Sequence, residues 1–123
     1  MIPRPVRVAL FAAACLAVLW LSLSRTSVVV VPGVTLWDKA EHAGAYLTLA
    51  ILGAWALGGA RWSLAVGLFA FGVGVEFAQA TMGLGRDGDV LDAAANSLGI
   101  ALGLGLARLI GERLMVKSPA RGE

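Results

Sequence analysis

The stretch that decides the fold is residues 42–60, which read HAGAYLTLAILGAWALGGA. These 19 residues contain no lysine, arginine, aspartate or glutamate. A helix of roughly 20 predominantly apolar residues spans the hydrocarbon core of a bilayer, which is about 30 Å thick. The segment therefore predicts a transmembrane helix that ends at the two glycines of residues 58–59.

Three other stretches share this character. Residues 8–24 are 17 uncharged residues, residues 62–85 carry Glu76 as their only charge, and residues 93–107 add 15 uncharged residues. The sequence thus predicts helices over about residues 7–24, 39–58, 61–82 and 90–110, followed by a polar tail at 111–123. The expected fold is all-α: a single-domain polytopic membrane protein built as a four-helix transmembrane bundle.

The composition excludes several other classes of protein. Of the 123 residues, 59% are apolar and only 15% are charged, which excludes a disordered chain and argues against a soluble globule. A single cysteine and a single histidine leave no disulfide framework and no Cys/His zinc set. The ten basic residues are scattered and the net charge is only +2, so we expect no nucleic-acid partner. We expect the lipid bilayer as the main partner, with no metal and no cofactor, and the oligomeric state is left open. A divalent cation held by the oxygens of Glu76, Asp87, Asp89 and Asp92 is kept as an alternative, although residues 87–92 match no complete calcium loop.

A cleaved signal peptide is the alternative for the first span, because Arg4 and Arg7 precede its apolar run. The run is longer than the 7 to 15 residues typical of a signal peptide, and no clear cleavage site precedes Arg25. We favour a retained first helix.

The distribution of basic residues predicts the orientation of the bundle, since lysine and arginine accumulate in cytoplasmic loops. With the N-terminus inside, only three basic residues fall outside: Arg25, Lys39 and Arg86. The other seven fall inside: Arg4, Arg7, Arg61, Arg108, Arg113, Lys117 and Arg121. The tryptophans agree, with Trp20 and Trp37 near the outer boundary and Trp55 and Trp62 near the inner one. Both termini are therefore expected in the cytoplasm.

Small residues at four-residue spacing predict close helix packing. Such spacing allows helix backbones to approach closely in lipid. The pairs are Gly99/Gly103, Ala40/Gly44 and Ala70/Gly74. We expect most of these glycines to lie at helix contacts.

Each helix after the first also carries a polar face. Residues four apart share a face of an α-helix, so Asp38, His42 and Tyr46 lie on one side of the second helix. Glu76 and Gln79, three apart, share a side of the third. The fourth helix has a stripe made of Asp92, Asn96, Gly99 and Gly103.

The depths of these residues coincide. With a helical rise of about 1.5 Å per residue, His42, Glu76 and Asp92 lie about 22 to 24 Å above the inner boundary, if Gly58, Arg61 and Arg108 mark it. Tyr46 and Asn96 form a second layer at about 18 Å. This coincidence predicts an outward-opening polar pocket. Its candidate residues are Asp38, Lys39, His42, Tyr46, Glu76, Gln79, Arg86, Asp89, Asp92 and Asn96.

Glu76 is the strongest functional candidate, because a carboxylate inside a membrane helix is costly unless it is neutral or paired. Arg86, Lys39 and His42 are its expected partners, and Glu76 with His42 is a candidate proton-handling pair. The set contains no obvious nucleophile, so whether the protein is an enzyme is left open. The acidic residues at the starts of the second and fourth helices also suit a purely structural role beside the helix dipoles.

The combined pattern resembles the VanZ-like family. The resemblance rests on Asp38-Lys39-x-x-His42-x-x-x-Tyr46, Glu76-x-x-Gln79, Arg86, Asp89, Asp92, Asn96 and Gly99, and it covers about residues 38–103. It implies a small multi-pass protein of the bacterial cytoplasmic (inner) membrane with about four helices. The founding member is associated with resistance to the glycopeptide antibiotic teicoplanin. The resemblance attaches no catalytic role to these positions, and resistance is not assumed for this chain.

Two functions compete at this stage. The preferred one is a cell-envelope protein whose pocket binds or modifies an anionic or lipid-linked head group. In it, Arg86 and Lys39 contact the anion, while Glu76 and His42 handle protons. The alternative is a structural or assembly subunit in which the same residues only stabilise the bundle. A channel or proton-coupled carrier is disfavoured, because the inner halves of the second to fourth spans are nearly continuous apolar sequence.

Overall fold

The computed structural model of the protein describes residues 2–23, 35–81 and 90–117, without the side chains of residues 35–38 and 112–117. Within these ranges the secondary structure is entirely helical, which confirms the predicted all-α class. The four helices are α1 (Arg4–Leu23), α2 (Thr35–Leu57), α3 (Trp62–Thr81) and α4 (Val90–Lys117).

Three helix boundaries differ from the prediction by three residues or more. Helix α1 begins at Arg4 instead of about residue 7. Helix α2 begins at Thr35, about one turn earlier than expected. Helix α4 continues to Lys117, so residues 111–117 of the predicted polar tail are helical. The prediction ended α4 where charged residues begin, but charged residues such as glutamate, arginine and lysine are good helix formers. The conformation of the loop 25–37, which the sequence left undecided, lies outside the described residues up to position 34.

Three of the helices are long and apolar enough to cross a membrane: α1, α3 and the part of α4 from Val90 to Gly111. Helix α2 does not join this group. Its first half carries Lys39, Glu41 and His42, and its apolar character is concentrated in the second half.

Two hydrogen bonds fix how the helices run relative to one another. The Arg7 guanidinium donates to the Trp55 carbonyl oxygen at 2.6 Å, so the start of α1 lies beside the end of α2. The Gln79 side-chain amide donates to the Ser22 carbonyl oxygen at 2.8 Å, so α1 and α3 end together. Helices α1 and α3 therefore run one way and α2 the other. We call the end of the bundle with Ser22 and Gln79 the polar end, and the end with Arg7, Trp55 and the α2–α3 turn the turn end.

Helix α2 is the centre of the bundle and contacts each of the other three helices. It supplies most of the buried core, through Tyr46, Leu49, Ala50 and Ala54. The rest of the core comes from Leu64 and Leu68 of α3 and Ile100 of α4. Helix α1 is peripheral: it has no buried residue, and its described part makes no contact with the described part of α4.

The closest helix pair is α2 with α4, and glycines make that approach possible. A Cβ at Gly99 would lie only 2.9 Å from the carbonyl carbon of Ala43, and one at Gly103 only 2.5 Å from the Leu47 carbonyl oxygen. This confirms the packing role predicted for Gly99 and Gly103. The same prediction is wrong for Gly44 and Gly74, because both face open space.

The turn end is built by two glycines in conformations that other residues rarely adopt. Gly58 has a φ of 82° and Gly59 a φ of 153°, and the Gly59 N–H donates to the Ala54 carbonyl oxygen at 2.8 Å. This bond from the residue beyond the helix to its last turn is typical of a Schellman cap. It lets the chain reverse within four residues and start α3 at Trp62.

Candidate functional site

Two polar pairs join α2 to α4 at the polar end. The Lys39 ammonium forms an ion pair with the Asp92 carboxylate, and their side chains are 23% and 13% exposed. One turn deeper, His42 Nδ1 lies 3.2 Å from Asn96 Oδ1, within hydrogen-bond distance. The spacing of three along α2 and four along α4 places both pairs on facing sides of the two helices. The pairs run parallel, so α4 starts beside the start of α2.

Below these pairs, Tyr46 and Asn96 converge on the backbone of α3. Both residues are only 3% exposed. A Cβ at Gly72 would lie 3.1 Å from the Tyr46 hydroxyl oxygen and 3.1 Å from Asn96 Nδ2. Because Gly72 has no side chain, two polar groups fit against α3 at this depth. The Tyr46 ring also contacts Phe71, with ring centroids 6.3 Å apart.

Glu76 lies one turn nearer the polar end than Gly72, on the same face of α3. Its side chain is half-buried and its Oε1 atom is fully buried. The third helix therefore places a carboxylate one turn from the glycine against which Tyr46 of α2 and Asn96 of α4 pack.

Gln79 connects this site to the first helix. It is 4% exposed, and its amide donates to the Ser22 carbonyl oxygen in the last turn of α1. The last four carbonyls of an α-helix have no partner within the helix. Gln79 satisfies one of them and so fixes the end of α1 against α3.

Seven of the ten predicted site residues thus lie at the polar end with their side chains described: Lys39, His42, Tyr46, Glu76, Gln79, Asp92 and Asn96. Arg86 and Asp89 lie outside the described residues. Asp38 lies in the first turn of α2, and its side chain is outside the description.

The structure agrees with the predicted second layer, because Tyr46 and Asn96 both lie against Gly72, and differs from the predicted first layer. The sequence placed His42 level with Asp92, whereas His42 pairs with Asn96 and Asp92 pairs with Lys39. The depth scale took Arg108 as the inner end of the fourth helix, but α4 continues to Lys117. The prediction therefore placed the inner end of α4 too early in the sequence, and the predicted depth of Asp92 relative to His42 was wrong for that reason.

Sequence reasoning missed two contributors to the site. Gly72 belongs to the site because the absence of a side chain leaves space for Tyr46 and Asn96. The sequence pattern that could have identified it is its four-residue spacing from Glu76, which puts both on one helix face. Ser22 contributes its backbone carbonyl, a group that every residue carries, so no side-chain pattern marks it.

The chemistry of this cluster is acid–base and hydrogen-bonding. It holds a carboxylate, an imidazole, a phenol, two amides and one ion pair, all from α2, α3 and α4. Asp92 lies in the first turn of α4, where a negative charge complements the helix dipole. Among the described residues, no group of three or more histidine, cysteine, aspartate or glutamate side chains is arranged to hold a metal ion.

Comparisons with protein-family models, with curated proteins and with solved structures give no match for this chain.

Proposed function

We propose that the protein binds or modifies an anionic or lipid-linked component of the bacterial cell envelope at its polar end. The observation that carries the proposal is the convergence of Tyr46 and Asn96 on Gly72 of α3, one helical turn from the half-buried Glu76 and beneath a partly exposed Lys39–Asp92 pair. Ionisable groups are rare within membrane helices, and their default interpretation there is functional. An accessible ion pair above a buried acid–base cluster suits recognition of a charged head group.

The proposal includes α2 as the fourth membrane span, with both termini in the cytoplasm and the polar end facing outward. The central position of α2 supports this, because its buried Tyr46 and its paired Lys39 and His42 need not face lipid. The arginines of the turn end support the orientation, because basic residues accumulate on the cytoplasmic side. The localisation we propose is the bacterial cytoplasmic (inner) membrane.

The resemblance to the VanZ-like family also supports the proposal. The residues that carry the resemblance include all seven described members of the polar cluster. A role in glycopeptide resistance is the narrowest form of the proposal, and it needs its own test in cells.

The geometry suggests how the site works. An anionic group arriving at the polar end meets Lys39, whose charge Asp92 holds in place across α2 and α4. Arg86, from the segment between α3 and α4, is the second cation that the sequence assigns to the anion. His42 and Glu76 lie deeper and would exchange a proton with the bound group if the protein modifies it.

A structural role is the second candidate, and one observation favours it. The Lys39–Asp92, His42–Asn96 and Gln79–Ser22 pairs each join two different helices. Hydrogen bonds between membrane helices stabilise bundles, by about 0.6 kcal/mol each on average. In this alternative the same side chains only specify the packing of the helices.

The two candidates are separated by measuring function and stability on the same variants. Glu76→Gln and Arg86→Ala are expressed in cells that lack the wild-type gene, with Glu41→Gln as the control for an exposed carboxylate of α2. Envelope lipids and lipid-linked wall precursors are compared by mass spectrometry, and each purified variant is melted in detergent. Binding or modification predicts an altered envelope profile for Glu76→Gln and Arg86→Ala with unchanged melting. A wild-type profile in both variants would overturn the proposal, and lowered melting in both would favour the structural role.

A further inference from the structure

The turn end of the bundle carries a basic and aromatic surface that the proposed function does not use. Arg4 and Arg61 are exposed there, and Trp62 is 87% exposed. The described acidic side chains, Glu41, Glu76 and Asp92, all belong to the opposite half of the bundle. Helix α4 ends on the same side and adds Arg108, Glu112, Arg113 and Lys117, three basic residues and one acidic residue, so the turn end has an excess of positive charge.

Arg7 positions this surface through a contact within the protein. Its guanidinium donates to the Trp55 carbonyl oxygen and lies 5.8 Å from the centre of the Trp55 ring. The contact places a positive charge at the C-terminus of α2, where it complements the helix dipole. It also brings the start of α1, with Arg4, beside the α2–α3 turn that carries Arg61.

We propose that this surface, made of Arg4, Arg61, Trp55 and Trp62, binds the phosphate of anionic phospholipids. Tryptophan rings prefer the head-group level of a bilayer, so Trp55 and Trp62 set the depth at which the arginines lie. Basic residues near the membrane surface attract anionic lipids. The occupant is therefore a phospholipid with a net negative head group, phosphatidylglycerol being the simplest example.

The inference is independent of the function proposed for the polar end. About 20 helical residues, or roughly 30 Å, separate the two ends along α1. A lipid head group bound at one end therefore cannot reach the residues of the other end. Loss of one site would leave the other intact.

Tryptophan fluorescence distinguishes the two ends in the full-length protein. A Trp20→Phe/Trp37→Phe variant keeps only the turn-end reporters, Trp55 and Trp62. A Trp55→Phe/Trp62→Phe variant keeps only Trp20 and Trp37. Each is reconstituted in vesicles that mix phosphatidylcholine with phosphatidylglycerol, with bromine on the acyl chains of one lipid at a time. Bromine quenches nearby tryptophan, so the quenching reports which lipid is enriched around each end.

We expect brominated phosphatidylglycerol to quench the turn-end reporters more than its mole fraction predicts. Adding Arg4→Gln or Arg61→Gln should lower this preference about fivefold each, the factor that corresponds to about 1 kcal/mol. Salt at 1 M should remove it, since the Debye length falls to about 3 Å. The signal of the polar-end reporters should not change in Arg4→Gln or Arg61→Gln, because both substitutions lie at the other end of the bundle.

Thr81→Glu is the matched control, because it changes the net charge by the same amount as Arg61→Gln but at the polar end. It should leave the turn-end preference unchanged, and Arg61→Lys should retain most of it. Equal quenching by the two lipids, or an equal loss in Thr81→Glu and Arg61→Gln, would overturn the proposal.

Discussion

Replacing Gly99 with alanine tests the packing that holds the polar site together. The new methyl group would collide with the carbonyl of Ala43, which belongs to the backbone of α2 and cannot rotate away. Helices α2 and α4 would have to separate by about 1 Å to reach ordinary van der Waals distance, and such overpacking typically costs about 1–3 kcal/mol.

The same displacement reaches the polar cluster. Asn96 lies one turn from Gly99, and its 3.2 Å distance to His42 would exceed hydrogen-bond length if the helices parted. A lost hydrogen bond costs about 1 kcal/mol more. Gly105→Ala is the matched control, because it lies on the same helix and nothing lies within 4 Å of its added methyl. Both variants gain the same helix propensity, so their difference isolates the packing effect.

We expect Gly99→Ala to unfold with about 2–4 kcal/mol less free energy than Gly105→Ala. The measurement is equilibrium unfolding of the full-length protein in mixed detergent micelles, followed by circular dichroism. A difference below about 0.5 kcal/mol, within the range of ordinary surface substitutions, would refute the close α2–α4 contact.

Two further predictions concern the turn end, and both use the same unfolding measurement. Gly58→Ala should lower the unfolding free energy by about 1–2 kcal/mol, because alanine is strained at a φ of 82°. Gly111→Ala, in open space on α4, should not lower it, and equal effects would contradict the cap described for α2. Arg7→Met should cost about 1–2 kcal/mol by removing the bond to the Trp55 carbonyl and the favourable dipole interaction. Arg4→Met removes the same charge one turn earlier from an exposed position, and a loss as large as that of Arg7→Met would show that charge alone is responsible.

The helices themselves were predictable from the sequence, because lipid demands continuous apolar stretches and every backbone group in them must be hydrogen-bonded internally. Hydropathy therefore located all four helices, and the GxxxG spacing located the closest helix contact. Hydropathy failed at the end of α4, since a helix ends where its hydrogen bonds end and not where charges begin. Residues 111–117 carry charged side chains and are nevertheless helical.

The composition of the polar cluster was also predictable, but its pairing was not. Helical periodicity places Lys39, His42, Asp92 and Asn96 on polar faces, whereas their pairing depends on the shift of α4 along α2, which neither helix sequence fixes alone. The contact between Arg7 and Trp55 was invisible in the sequence, because its acceptor is a backbone carbonyl. Which glycines pack and which face outward is likewise decided by neighbouring helices.

Cysteine labelling tests most directly the central claim that the polar end faces outward across a membrane. In a Cys15→Ala background, Thr81→Cys places a thiol on an exposed position of the polar end, and Ala60→Cys places one on an exposed position of the turn end. A maleimide that cannot cross membranes is added to intact cells and then to permeabilised cells. We predict that Thr81→Cys is labelled in intact cells and that Ala60→Cys is labelled only after permeabilisation. The reverse pattern, or labelling of both thiols in intact cells, would contradict the account.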